Sequence, residues 1–218
     1  MRFLLPTLTA LSALALPTQA ATWYFLRYYT ASGQSFTELS GELVVPTLPS
    51  AAYYYLWPGL QPTDGSGVYQ NVLDGRSGTW WFGSGWCCSN PSLPWGSGFN
   101  TYEGETVKFV NKLDGSNWVS TTTHESTGTE KTDSFALSDK SFNQVLFAIE
   151  LTDVAWDFGA LEFKNIVITA DGTDSSWCND SPENYNSAAT FSISGVEASV
   201  SGDVVTCTIS SLILEGSA

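Results

Sequence analysis

The sequence predicts an all-β protein, a two-sheet antiparallel β-sandwich of the jelly-roll or concanavalin-like type. Three observations predict it. From residue 22 onward no stretch repeats its apolar residues with a helical period. Instead there are twelve or so short apolar or alternating segments, each bounded by Gly, Pro, Asn, Asp or Ser. The chain is also rich in strand-forming aromatics, with 9 Trp, 9 Tyr and 12 Phe.

The first 20 residues, MRFLLPTLTALSALALPTQA, combine one Arg, an apolar run and a small-residue ending. That is the pattern of a secretory signal peptide cut after Ala20 or Ala21. Its apolar part is too short to span a bilayer. Residues 21–218 are then expected to form a single β-sandwich domain. Trp23–Thr30 reads as an aromatic strand, and Phe36–Val45 as a second that stops at Pro46. Tyr53–Trp86 holds four Trp, together with Gln61 and Gln70, in three apolar-aromatic runs, read as three strands joined by turns. Cys87–Asn100 reads as a long Pro/Gly/Ser loop. Thr106–Lys112 is a strand, and Asn117–His124 with Glu130–Leu137 a hairpin through Ser126-Thr127-Gly128. Val145–Thr152 and Leu161–Thr169 flank a turn at Trp156–Gly159. Ala189–Ser194, Ala198–Ser201 and Val204–Ile209 close the chain.

The chain carries 8 basic and 22 acidic residues, a net charge of −14. Such a surface repels nucleic acid and anionic membranes, and it suits an acidic medium, where carboxylates titrate and self-repulsion falls. A monomer acting on an extended polymer, with no cofactor, is the expectation. In a secreted chain the four cysteines, Cys87, Cys88, Cys178 and Cys207, are expected in disulfides. Three pairings exist. A bridge between neighbours is strained, so Cys87 and Cys88 are each expected to reach one of Cys178 and Cys207. With a single His no zinc site is expected, nor any other metal. Asn179-Asp180-Ser181 is a glycosylation sequon.

Nucleophilic triads and phosphate loops find no footing. His124 lies in a polar hairpin and reads as an exposed, inert residue, and FGSGW and PWGSGF lack the Lys and the helix of a phosphate loop. What remains is carboxylate chemistry in an aromatic cleft. Alternation in Val145–Thr152 puts Val145, Phe147, Ile149 and Leu151 on one face, and Leu146, Ala148, Glu150 and Thr152 on the other. If the first set packs between the sheets, Glu150 stands on the cleft face beside small Ala148. Gln70, with Val68 and Val72, faces it from a neighbouring strand. A Glu of raised pKa activates water and an amide donates to a developing oxyanion.

LSGELVVPTLPSAAYYYLWPGLQP resembles the opening of the fungal eqolisins, the glutamic peptidases, whose mature chains begin "VSG-x-F-x-VPTPS" and reach a "WVGIDG" segment. The similarity continues in order. Val68-Tyr69-Gln70-Asn71 sits at "LQTG", and Thr79–Trp86 resembles the "AWYEW" strand. Tyr102–Val107 resembles the "EGD" turn, Asp157–Asn165 "DFG-x-VTFTN", and Ser199–Thr206 the closing "SVSGDSVT".

The resemblance implies a secreted, acid-active endopeptidase in which Glu150 activates water and Gln70 stabilises the oxyanion. Trp57, Gln61, Trp81 and Trp86 would then line the substrate cleft. Two acidic positions of the family are replaced here, by Gln61 and Gly83. Aligning the second Glu of the family's "AEWIVE" motif with Glu150 puts Leu146 at the catalytic position, so a bulge or shift is needed to bring Glu150 there. The alternative the substitutions imply is a cell-wall glycan-binding or glycan-cleaving protein of the same architecture, since aromatic faces stack on sugar rings.

Overall fold

The computed structural model describes residues 21–88, 90–186 and 190–216. The leader expected over residues 1–20 lies outside them. Fourteen strands and one short helix follow in order among the described residues. They are β1 (Thr22–Tyr29), β2 (Phe36–Val44), β3 (Tyr53–Pro62), β4 (Gly67–Asp74), β5 (Trp80–Cys88), β6 (Gly98–Thr101) and β7 (Thr106–Asp114). Next come β8 (Asn117–His124), β9 (Thr129–Phe135), β10 (Phe142–Thr152), β11 (Leu161–Asp171), α1 (Ser176–Asn179), β12 (Glu183–Tyr185), β13 (Thr190–Ser201) and β14 (Val204–Glu215). They build two seven-stranded sheets: a front sheet ordered β12-β1-β10-β3-β4-β5-β6 and a back sheet ordered β13-β14-β11-β2-β7-β8-β9. Every pairing is antiparallel. The expected sandwich is what forms.

Period-two alternation decides which side chains meet between the sheets. Leu26 and Tyr28 of β1, Leu56 and Leu60 of β3, and Val145, Phe147, Ile149 and Leu151 of β10 turn inward from the front sheet. Leu39, Leu43, Phe163, Ile168 and Leu212 meet them from the back. A polar bridge crosses this core, where Asn71 Nδ2 donates to Ser120 Oγ at 2.8 Å and Asn71 Oδ1 accepts from Asn111 Nδ2. The opposite faces of β1, β3, β4 and β10 carry a second, smaller cluster of Phe25, Trp57, Val72, Leu146 and Ala148. That cluster lies on the outer face of the front sheet and is the floor on which the site is built.

Four expectations change. The segment after Cys87 is not all loop: β5 runs on to Cys88, and Gly98–Thr101 pairs back onto it as β6. Residues 190–201 form one strand rather than two, because a continuous ladder to β14 carries it past Gly195; Ala189 lies outside the described residues. A disulfide joins Cys178 to Cys207, so neither reaches Cys87 or Cys88, which lie side by side at the end of β5. Strand order explains this, since β5 lies near one flank of the front sheet and β14 near the opposite flank of the back sheet. Cys178, in α1, instead lies 5.6 Å from Cys207 by Cα. Finally, His124 is buried rather than exposed, with Nε2 3.0 Å from a Glu105 carboxylate oxygen and Nδ1 3.1 Å from Ser126 Oγ.

Candidate functional site

The apolar floor lies under a groove of about 860 Å³ lined by side chains from β3, β4, β5, β6 and β10. Antiparallel register arranges them in rows across the sheet. One row runs Glu150, Tyr55, Asp74, Trp81 and Asn100. Another, four residues along β10, runs Leu146, Gly59, Gln70 and Gly85.

Glu150 is half-buried at one side of the groove. Burial pushes its carboxyl up from the ordinary value to about 7, because charge is costly among apolar neighbours. The Trp57 indole N–H beside it favours the carboxylate and offsets part of the rise, although that N–H makes no fully formed hydrogen bond. Trp57 itself is almost fully buried and meets Trp23 edge-on with ring centroids 6.2 Å apart.

Gln70 also lines the groove, buried, with its side-chain oxygen unpartnered. It does not face Glu150. The two positions differ by four residues along the strands and two strands across, roughly 13 Å by roughly 10 Å. β10 pairs with β3 without interruption from Gln144 to Thr152, so no bulge shifts Glu150 toward Gln70. The residue in Gln70's row is Leu146, buried in the floor.

Asp74, Arg76 and Trp95 complete the walls. Both Asp74 oxygens accept hydrogen bonds from the Arg76 guanidinium, at 2.7 to 3.1 Å, and Oδ1 also accepts from the Arg76 backbone N–H. Trp81 and Trp95 lie against glycines. A Cβ on Gly83 or Gly98 would overlap the Trp81 ring, and one on Gly85 would overlap the Trp95 ring. Trp95 is 49% exposed. Its loop is fixed to the other sheet, because Asp133 of β9 accepts from the Ser97 N–H at 2.8 Å, Ser97 Oγ at 3.0 Å and Ser84 Oγ at 3.0 Å.

Of the residues expected in the cleft, the groove brings together Gln70, Glu150, Trp57 and Trp81. Gln61 lies on the same face but past Gly59, paired with Gln144 and outside the lining. Trp86 is corrected outright: strand parity turns it inward, where it packs on Phe142 in the main core. Cys87 lines the groove, whereas Cys88 is exposed beside it and Cys178 and Cys207 are buried in the core. Asn179 is exposed at the end of α1. Asp74 escaped the sequence reading although the alternation Val68, Gln70, Val72, Asp74 reaches it. Trp95 had no sequence signal, because its position depends on a loop folding back over β5.

The fold and the site together define a β-sandwich with a carboxylate-bearing groove on the outer face of one sheet. Solved structures of glutamic peptidases share the fold. Scytalido-glutamic peptidase with a peptide-based transition-state analogue superposes with a TM-score of 0.55 at 18% identity, covering 88% of this chain and all of the other. SCP-B, a member of the eqolisin family in complex with the tripeptide Ala-Ile-His, gives 0.51 at 19% identity with the same coverage. This chain has the eqolisin fold. No protein-family model and no curated protein sequence matches it.

Proposed function

We propose that the protein is a secreted, acid-active hydrolase of the glutamic-peptidase kind, cutting an extended polypeptide held in the groove, with Glu150 as its proton-transfer residue. One observation carries this: Glu150, a half-buried carboxyl in the groove, has its pKa raised to about 7, the region where proton transfer is most effective. Likeness in fold to the peptidases supports the choice of polypeptide. Fold alone does not fix function, so the site must bear the argument.

The raised pKa changes the role expected for Glu150. In acid it is protonated, so it donates to the departing amide nitrogen instead of activating water. Gln70 is too far along the groove to share one carbonyl with it, and binds the substrate backbone further on. The nearer free donor is the Trp57 N–H.

The test is hydrolysis of a denatured protein between pH 2 and 8. The expected rate falls as pH rises through about 7, and Glu150→Gln lowers it by about a hundredfold or more. Undiminished cleavage by that variant would sink the reading.

A further inference from the structure

The groove holds a second carboxylate whose position a polypeptide substrate does not require. Asp74 and Glu150 share one register row, with Tyr55 of β3 between them. Two inter-strand steps set their Cα atoms about 10 Å apart. The Tyr55 phenol, its pKa raised chiefly by burial, also feels the charges of both Asp74 and Glu150, so the two carboxyls flank one stretch of groove. In inverting glycosidases the two carboxyl groups stand about 6.5–9.5 Å apart, leaving room for a water between one of them and the sugar, a separation that side chains on Cα atoms about 10 Å apart can reach.

The two groups have different neighbours. Glu150 sits among apolar neighbours beside Trp57. Asp74 accepts hydrogen bonds from the Arg76 guanidinium and from the Arg76 backbone N–H. Across the groove, Trp81 and Trp95 rest on Gly83, Gly98 and Gly85. Indoles seated on glycines form an apolar platform of the kind on which the C–H face of a pyranose stacks. Gln70, Ser77 and Asn100 add uncharged hydrogen-bonding groups suited to hydroxyls.

We propose that this groove also takes a neutral pyranose chain and hydrolyses its glycosidic bond, with Glu150 as proton donor and Asp74 as general base. Glu150 gives its proton to the glycosidic oxygen as the bond from that oxygen to the anomeric carbon breaks, the electron pair leaving with the oxygen. Asp74 takes a proton from the water whose oxygen forms the new bond to the anomeric carbon from the opposite face. The products are two shorter chains, one with an inverted anomeric centre, and each carboxyl recovers its proton state from solvent. This rests on Glu150 being the proton-transfer group, as proposed above, but not on a polypeptide substrate.

The experiment incubates the purified chain, in parallel, with denatured protein and with soluble neutral polysaccharides (glucans, xylan, mannan and chitin oligomers) from pH 3 to 7. New reducing ends, new peptide ends and glycan binding are recorded for the parent, Glu150→Gln, Asp74→Asn and Trp95→Ala. The expected result is release of reducing ends from at least one glycan, with the inverted anomer seen by NMR. Glu150→Gln and Asp74→Asn should each lower the rate about a hundredfold or more, with melting curves establishing that each is folded. Trp95→Ala, on an exposed ring, should weaken glycan binding about tenfold. Peptide-bond cleavage with neither release of reducing ends nor glycan binding would overturn the proposal and leave the peptidase reading standing. Glycan cleavage unaffected by Asp74→Asn would overturn it as well. Glycan cleavage without peptide cleavage would uphold it and remove the polypeptide. Inactivity and no binding toward either polymer would overturn both.

Discussion

Glu150 shows how a single residue ties stability to pH. Its carboxyl is raised to about 7 in the folded chain, above its ordinary value near 4.3 in an unfolded one. Between those values the folded state holds the extra proton, so stability is greatest below about 4.3 and falls as pH rises toward 7. At full value the shift corresponds to about 3 kcal/mol, and solvent screening of the half-buried carboxyl lowers it. Glu150→Gln should therefore raise the melting temperature at pH 8 and leave it unchanged at pH 3, a difference that thermal melts at the two pH values will read. The residue scale was partly legible in sequence. Parity alone placed Glu150 and Gln70 on the outer face, because one bad alternation would bury a charge. Parity equally turns Trp86 into the core, but a Trp gives no sign of which face it prefers, since either suits its ring.

At the scale of elements, register is what sequence withheld. The order of strands β10, β3 and β4 decides which residue of β10 stands in Gln70's row, and uninterrupted pairing gives that place to Leu146. Leu146→Glu puts a carboxyl into that row. It should destabilise the fold at pH 8, where the new charge is buried in the floor, and less so at pH 3, where it is neutral. If a carboxyl facing Gln70 is what the groove lacks for attack on peptide bonds, the variant should cleave denatured protein at pH 3 faster than the parent. The rate ratio of the two proteins decides it. The β5 glycines make a separate prediction. Gly85→Ala displaces the Trp95 ring, and should change tryptophan fluorescence and weaken polymer binding while the far-UV spectrum keeps its strand signature.

For the molecule as a whole, the sandwich was legible because turn residues punctuate the strands so regularly, and because inward sets such as Val145, Phe147, Ile149 and Leu151 repeat at period two. The disulfides were not. Which cysteines meet depends on the order of strands in each sheet, and local spacing carries no trace of it. Cys178–Cys207 ties α1 to β14 across a sequence separation of 29. Loop-closure entropy makes such a bridge worth about 3.5 kcal/mol. Cys178→Ser with Cys207→Ser should lower the melting temperature by several degrees, with little effect on polymer binding, since neither cysteine lines the groove.

Asp133 has a mechanical meaning at this scale. It stands on β9, the edge strand of the back sheet, yet it pins the loop that lays Trp95 over β5 of the front sheet. The groove's far wall thus rests on the front sheet and is also tied to the back one. At that flank the wall of the groove is tied to the spacing between the two sheets.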